Sequence, residues 1–230
     1  MKLQIHTINI PWVIGFLLFI NIHSLQAQQN DFGNWTGIKL SKKLTSNLTA
    51  SFEEEIRFRE NLSQLNNFYS EAGIGYNINN AFKISTDYRF NQKQRIDHSF
   101  SKRHRLNIAL GFKQKIKAIE FNYKIKGQSE ISDYYSSETG KITENILRHK
   151  FALNYDFTNR ISPTVATELF YPINPISKNR CNKVRFIAGV EYAINEVNQI
   201  EINYLVDKER LTNNPQTNYI IQLGYRFKFK

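Results

Sequence analysis

From Trp35 to the C-terminus the chain alternates apolar and polar residues in segments of about ten, divided by polar breaks. Period two sends successive side chains to opposite faces of an extended strand. Leu48–Phe58 sets Leu48, Ala50, Phe52, Ile56 and Phe58 against Thr49, Ser51, Glu53, Glu55 and Arg57. Phe82–Phe90 sets Phe82, Ile84, Tyr88 and Phe90 against Lys83, Ser85, Asp87 and Arg89. In Ile119–Ile125 the same rule puts Phe121 on the apolar face and Asn122 on the polar one. No long stretch repeats at helical spacing, so the pattern predicts an all-β chain.

The breaks alternate in length. Short ones at Lys43–Asn47, Asn77–Ala81, Gln114–Lys117, Thr158–Ser162 and Ala193–Asn198 fall between long ones at Glu60–Asn67, Asn91–Lys102, Ser129–Glu144, Pro172–Asn182 and Lys208–Asn218. Short turns at one end and long loops at the other are the grammar of a transmembrane antiparallel β-barrel, and such strands need roughly 9–11 residues to cross a bilayer. Eleven segments can be counted, from Trp35–Lys42 to Tyr219–Lys230. Bacterial single-chain barrels have even strand numbers. The expectation is therefore about twelve strands, with Gln28–Gly33 as a short extra one, or ten if one segment has been split.

Ahead of the strands lies the apolar run Pro11–Ile22, followed by Leu25-Gln26-Ala27. Twelve helical residues rise about 18 Å, short of the roughly 30 Å hydrocarbon core, so the run reads as a signal peptide rather than an anchor. The expected division is a signal peptide over 1–27 and one barrel domain over 28–230.

Composition adds the sign of the charge. Lys plus Arg number 31 against 20 Asp plus Glu, a formal charge of +11, while aromatic residues reach 13% and mean hydropathy is -0.48. The aromatic content excludes a disordered chain, and the hydropathy excludes a helical membrane protein. A single cysteine, Cys181, excludes an internal disulfide framework. Export argues against nucleic acid as the anionic partner. A lipid surface with phosphates is the alternative: Arg103, Arg105, Arg148, Lys150, Lys183 and Arg185 stand where strands leave long loops and are expected to form a basic rim facing lipopolysaccharide. All six of these cations belong to an internal echo, in which Arg103-His104-Arg105-Leu106 resembles Arg148-His149-Lys150-Phe151 and, more weakly, Lys183-Val184-Arg185-Phe186.

The polar parity carries both signs: Glu53, Glu55, Arg57, Glu71, Asp87, Arg89, Glu120, Lys124, Lys126, Asp156, Glu168, Glu191 and Arg226. Inside a barrel these line the lumen, either as a salt-bridged plug, as a selective aqueous path or as a ligand site. Glu54 departs from the parity and is expected at a bulge or a rim, since bulges re-aim side chains. Ser101, His104 and Glu144 can be assembled on paper into a nucleophile, base and orienting group, although no nucleophile motif accompanies them. No spacing suggests a metal site or a cofactor.

The terminal Gln222-x-Gly224-x-x-Phe227-x-Phe229 resembles the β-signal read by the barrel-assembly machinery, departing from it in the final Lys230. Trp35 at the head of the first strand, Phe52–Arg59 and Tyr88-Arg89-Phe90 resemble a domain-of-unknown-function family (domain of unknown function 2490) of small outer-membrane barrels from Bacteroidota-type bacteria. That resemblance implies fold and location, and no activity. The resulting expectation is an integral outer-membrane barrel, structural or a narrow porin-like channel with a charged lumen. The alternatives are a barrel enzyme acting on outer-leaflet lipid and a secreted soluble β-protein.

Overall fold

The structure, a computed structural model, describes residues 29–95, 97–132, 143–173, 180–211 and 214–229. The expected signal peptide lies outside these residues. Eleven strands follow one another: β1 (Gln29–Lys43), β2 (Leu48–Arg59), β3 (Gln64–Asn77), β4 (Phe82–Gln94), β5 (Phe100–Ile116), β6 (Ile119–Ser132), β7 (Thr143–Tyr155), β8 (Ile161–Pro172), β9 (Lys183–Ala193), β10 (Asn198–Glu209) and β11 (Gln216–Phe229). Each pairs antiparallel with its neighbours in sequence, and β1 meets β11 to close the barrel.

The number corrects the expectation of twelve or ten. Gln28–Gly33 adds no separate strand, because Gln29 onward is continuous with β1. Strands alternate in direction, so with an odd number the first and last run the same way. Closure is accordingly a parallel ladder, from Gln29↔Gln216 to Lys42↔Phe229. A parallel pair is slightly less stable per residue than an antiparallel one, but closure removes both open edges.

This closure is directly testable. Ile38 and Tyr225 are partners across it, both on the outward face. In a Cys181→Ser background, Ile38→Cys with Tyr225→Cys should cross-link on oxidation of the assembled barrel. Ile38→Cys with Tyr219→Cys, six residues along at roughly 3.3 Å each, should not. The reverse outcome on non-reducing gels would replace the parallel seam with another one.

Turns at 44–47, 78–81, 117–118, 156–160 and 194–197 share one end of the barrel. At the other end, two of the five expected long loops are short. Glu60–Asn67 shrinks to residues 60–63 and Asn91–Lys102 to residues 95–99. Their polar residues continue the ladders: Asn67 Nδ2 donates to Asn91 Oδ1 at 2.7 Å between β3 and β4. A strand polar on both faces reads as a loop in sequence yet pairs as well as any other. In the 95–99 turn, the Ser99 amide and hydroxyl both donate to Asp97 Oδ1, at 3.0 and 2.6 Å, and hold that carboxyl below its usual range.

Every strand places at least one large apolar side chain on the outward face. Ile38, Ile74, Ile108, Val165, Phe186 and Ile202 are each more than half exposed. Phe121 is among the outward residues, while Asn122 lines an interior cavity. Glu54 also points outward but needs no bulge. It pairs regularly with Ile38 and Ser70, and Ser70 Oγ donates to its carboxylate at 2.7 Å. The register shift in β2 falls between Arg57 and Phe58 instead.

Candidate functional site

The inward positions of successive strands fall into hydrogen-bonded rows, and reading along a row shows which charges meet. One row runs Lys39, Glu53, Glu71, Arg89, Arg105, Glu130 across β1 to β6. Its like-charged neighbours are flanked by opposite charges, so every member finds a partner. Lys39 Nζ lies 2.7 Å from Glu53, whose other oxygen accepts from Tyr69 Oη at 2.7 Å. Arg89 Nε lies 2.7 Å from Glu71. Glu130 receives Arg105 and, at 3.1 Å, Arg103.

Across β8 to β10 a second run places Glu168 beside Arg185 and Arg185 beside Asp207. Arg185 engages Asp207 through two nitrogens at 2.5 and 2.6 Å. Glu168 takes Arg148 at 2.8 Å and lies 3.8 Å from Arg185. Lys183 completes the group, 3.9 Å from Asp207. Near the short-turn end, Arg226 bridges Glu191 at 2.7 Å and Glu201. Glu55 holds Arg57 at 2.6 Å and accepts from Gln222 Nε2 at 3.0 Å. Asp87 accepts from Asn107, and Glu120 from Asn122 and Asn154.

Aromatic rings hold the guanidinium groups in place. Arg57 Cζ lies 3.8 Å from the centroid of Trp35, and Arg185 Cζ lies 4.8 Å from it. The two arginines come from β2 and β9, with β1, β11 and β10 between them in the wall. Trp35 therefore gathers side chains across the interior. Arg89 lies 3.4 Å over Tyr69, and Arg148 lies 4.7 Å over Phe170. Each such contact contributes about 0.5–2 kcal/mol, the larger figure when desolvated. Trp35 also packs on Leu205, Ile220 and Ile187, an apolar cluster that alternation alone did not foretell on the polar parity.

The basic rim is corrected by this geometry. Arg103, Arg105, Arg148, Lys183 and Arg185 line an interior cavity of about 430 Å³, and Lys150 lines another of about 400 Å³. These residues do stand near the long-loop end, but their parity is that of Asn107 and Ala152, which are buried. The echo has the same cause: its cations point inward and its histidines outward. His104 Nδ1 lies 2.6 Å from Tyr88 Oη, and His149 Nδ1 lies 2.8 Å from Tyr123 Oη. In the third copy Val184 takes the histidine position.

Ser101 and His104 are not brought together. Ser101 is buried on the inward parity of β5, and His104 is exposed on the outward one. Asp156 lies just past β7 in a turn, 2.5 Å from Lys115, with both side chains largely exposed at the mouth. Gln222 and Gly224 point inward, whereas Phe227 and Phe229 form an edge-to-face pair 4.8 Å apart at the end of β11. Among the described residues no group of three or more His, Cys, Asp or Glu could hold a metal ion.

Sequence reasoning missed Glu130 and Asp207, which carry the two largest clusters. Both share parity with inward neighbours, Lys126 and Asn203, so continuing the alternation four residues further reaches them. It also missed Lys39 and Glu201, on strands whose alternation is plain.

Two solved structures share this architecture. The chain aligns with the β domain of the Bordetella autotransporter BrkA at 11% identity and a TM-score of 0.51, covering 81% of this chain and 86% of that one. It aligns with the NanC porin at 13% identity and a TM-score of 0.53, covering 86% of this chain and 99% of that one. At such identities the likeness is one of fold. No curated protein matches the chain. Residues 32–218, which run from β1 into β11, match the family described as "Protein of unknown function (DUF2490)". This closed eleven-stranded barrel belongs to the DUF2490 family.

Proposed function

We propose that the chain is an outer-membrane β-barrel acting as a narrow, porin-like passage with a charged lumen. The observation that carries this reading is the pairing of an apolar outward face on every strand with ion pairs on the inward one. A wall that exposes so much apolar surface calls for lipid around it, and a secreted soluble β-protein would have to hide the same band. The barrel and porin folds it resembles agree with this location. Export would follow from cleavage after Ala27. Phe227 and Phe229, outward at the end of β11, are placed where assembly machinery could read them. The partners are then outer-membrane lipid along the band and lipopolysaccharide at the long-loop end, where Lys102 and Lys208 are exposed.

Cavities of about 400, 430 and 450 Å³ occupy the interior, and Arg57 and Arg185, which meet over Trp35, line the 430 Å³ one. The wild-type barrel should therefore show small single-channel conductance in planar bilayers. Arg57→Ala, which removes one of these two guanidinium groups, should raise it several-fold, and Arg89→Ala should raise it less. Wild-type conductance like that of a wide, 16–18-stranded porin would overturn the narrow passage. Absence of any conductance in both wild type and Arg57→Ala would leave a structural barrel. Membrane fractionation with and without boiling checks the location.

A further inference from the structure

One wall of the interior breaks the rule of paired charges. In the row that crosses β4 to β7, Lys83 meets Gly111, Gly111 meets Lys124, and Lys124 meets Lys150. One step along, Lys126 faces Ala109 on one side and Arg148 on the other. Where the row through Glu53, Glu71 and Glu130 sets each charge beside an opposite one, this wall sets cation beside cation, and the first carboxylate along its row is Glu168 on β8, beyond Lys150. Among the described residues, Lys83, Lys124, Lys126 and Lys150 make no ion pair or hydrogen bond. Each ammonium carries three donors with no protein acceptor among those residues within hydrogen-bonding distance.

The wall is also built open. Gly111 and Ala109 are the only inward side chains that β5 places between these lysines, so nothing long intrudes. Lys83 lies across Gly75 on β3: a Cβ there would stand 2.5 Å from Lys83 Cε, and the flexible end of the lysine would have to move aside. Lys124 lines both the 400 and the 450 Å³ cavities, and Lys126 both the 450 and the 430 Å³ ones. These two lysines are thus shared between neighbouring cavities, and cavities of several hundred Å³ are the size that holds a small solute.

We propose that Lys83, Lys124, Lys126 and Lys150 form a binding site for small oxyanions carrying two or more negative charges, either carboxylates or phosphate. As a point charge with rotatable donors, lysine accepts either group without demanding the fixed fork geometry of arginine. Clustered like charges in a wall of low dielectric focus the field and raise the local concentration of the counter-ion. Within the passage proposed above, on which its biological use rests, the site makes the barrel anion-selective. Binding itself needs no passage.

The full chain, refolded in detergent micelles, should bind citrate saturably by calorimetry at constant ionic strength set with sodium chloride. Inorganic phosphate should bind more weakly and acetate not at all. Lys124→Gln with Lys150→Gln should weaken citrate at least ten-fold, while Lys42→Gln on the outward face should leave it unchanged. Heat-modified gel mobility confirms that each variant is folded, and Lys124→Arg with Lys150→Arg should retain binding. In bilayers under a potassium chloride gradient, the wild-type reversal potential should favour chloride, and the double glutamine variant should move it toward zero. Citrate binding that is absent, or equal in wild type and the double glutamine variant, would overturn the site even in a barrel that conducts. Binding lost in that variant, without conductance in any protein, would uphold the site and defeat the passage.

Discussion

Replacing Ile108 by arginine is expected to cost the folded barrel about 2–4 kcal/mol, the figure for a cation at the bilayer midplane on the lipid face. Ile108 is the central residue of β5, the longest strand, and its side chain is 57% exposed on the outward face. If that face meets lipid, the guanidinium has no water and no carboxylate within reach. Ile108→Leu keeps volume and polarity and should cost less than about 1.5 kcal/mol. Urea unfolding in lipid vesicles, with the C-terminal strand intact in both variants, compares them. Equal stability of Ile108→Arg and wild type would mean the outward band is not in lipid, and the outer-membrane reading would fall with it.

The second large effect is expected at Asp207. Its carboxylate is buried and receives Arg185 through two nitrogens, with Lys183 3.9 Å away. Removing one partner of a buried pair costs about 3–5 kcal/mol because the remaining charge is stranded. Asp207→Ala should fall at the lower end, about 3 kcal/mol, since Glu168 still lies 3.8 Å from Arg185 and the interior holds cavities. Adding Arg185→Ala should restore part of the loss, because the stranded charge is then gone. The cycle is read by urea unfolding of the two single variants and the double one. Strict additivity, with no recovery in the double variant, would show that Arg185 and Asp207 do not depend on each other.

Much of this was legible in the residues. Alternation assigned Phe121, Leu106 and Ile108 to one face, and Glu53, Arg89 and Lys124 to the other, because the pleat of a strand leaves a side chain no third direction. It located the short turns and the succession of strands. It also counted eleven segments correctly; a rule about even numbers then moved the expectation to twelve. The basic rim failed for a related reason. Arg103 and Arg105 share the parity of Asn107, yet their nearness to a loop suggested a girdle at the rim facing lipopolysaccharide. Depth along a strand and direction from it are independent, and only direction follows from parity.

What the chain determined by itself is therefore local: the period, the faces and the breaks, each settled by a residue and its immediate neighbours. Tertiary structure decided which strands lie opposite, and with that the chemistry of the interior. Trp35 gathers Arg57 and Arg185 only because β2 and β9 are brought within reach across a closed ring. Glu53 finds Lys39 while Lys124 finds Lys150, because register sets which inward side chain stands beside which, and register belongs to pairs of strands. Alternation gives the same inward reading to a paired charge and an unpaired one. The difference between a salt bridge and an open row of lysines appears only once neighbouring strands are placed side by side.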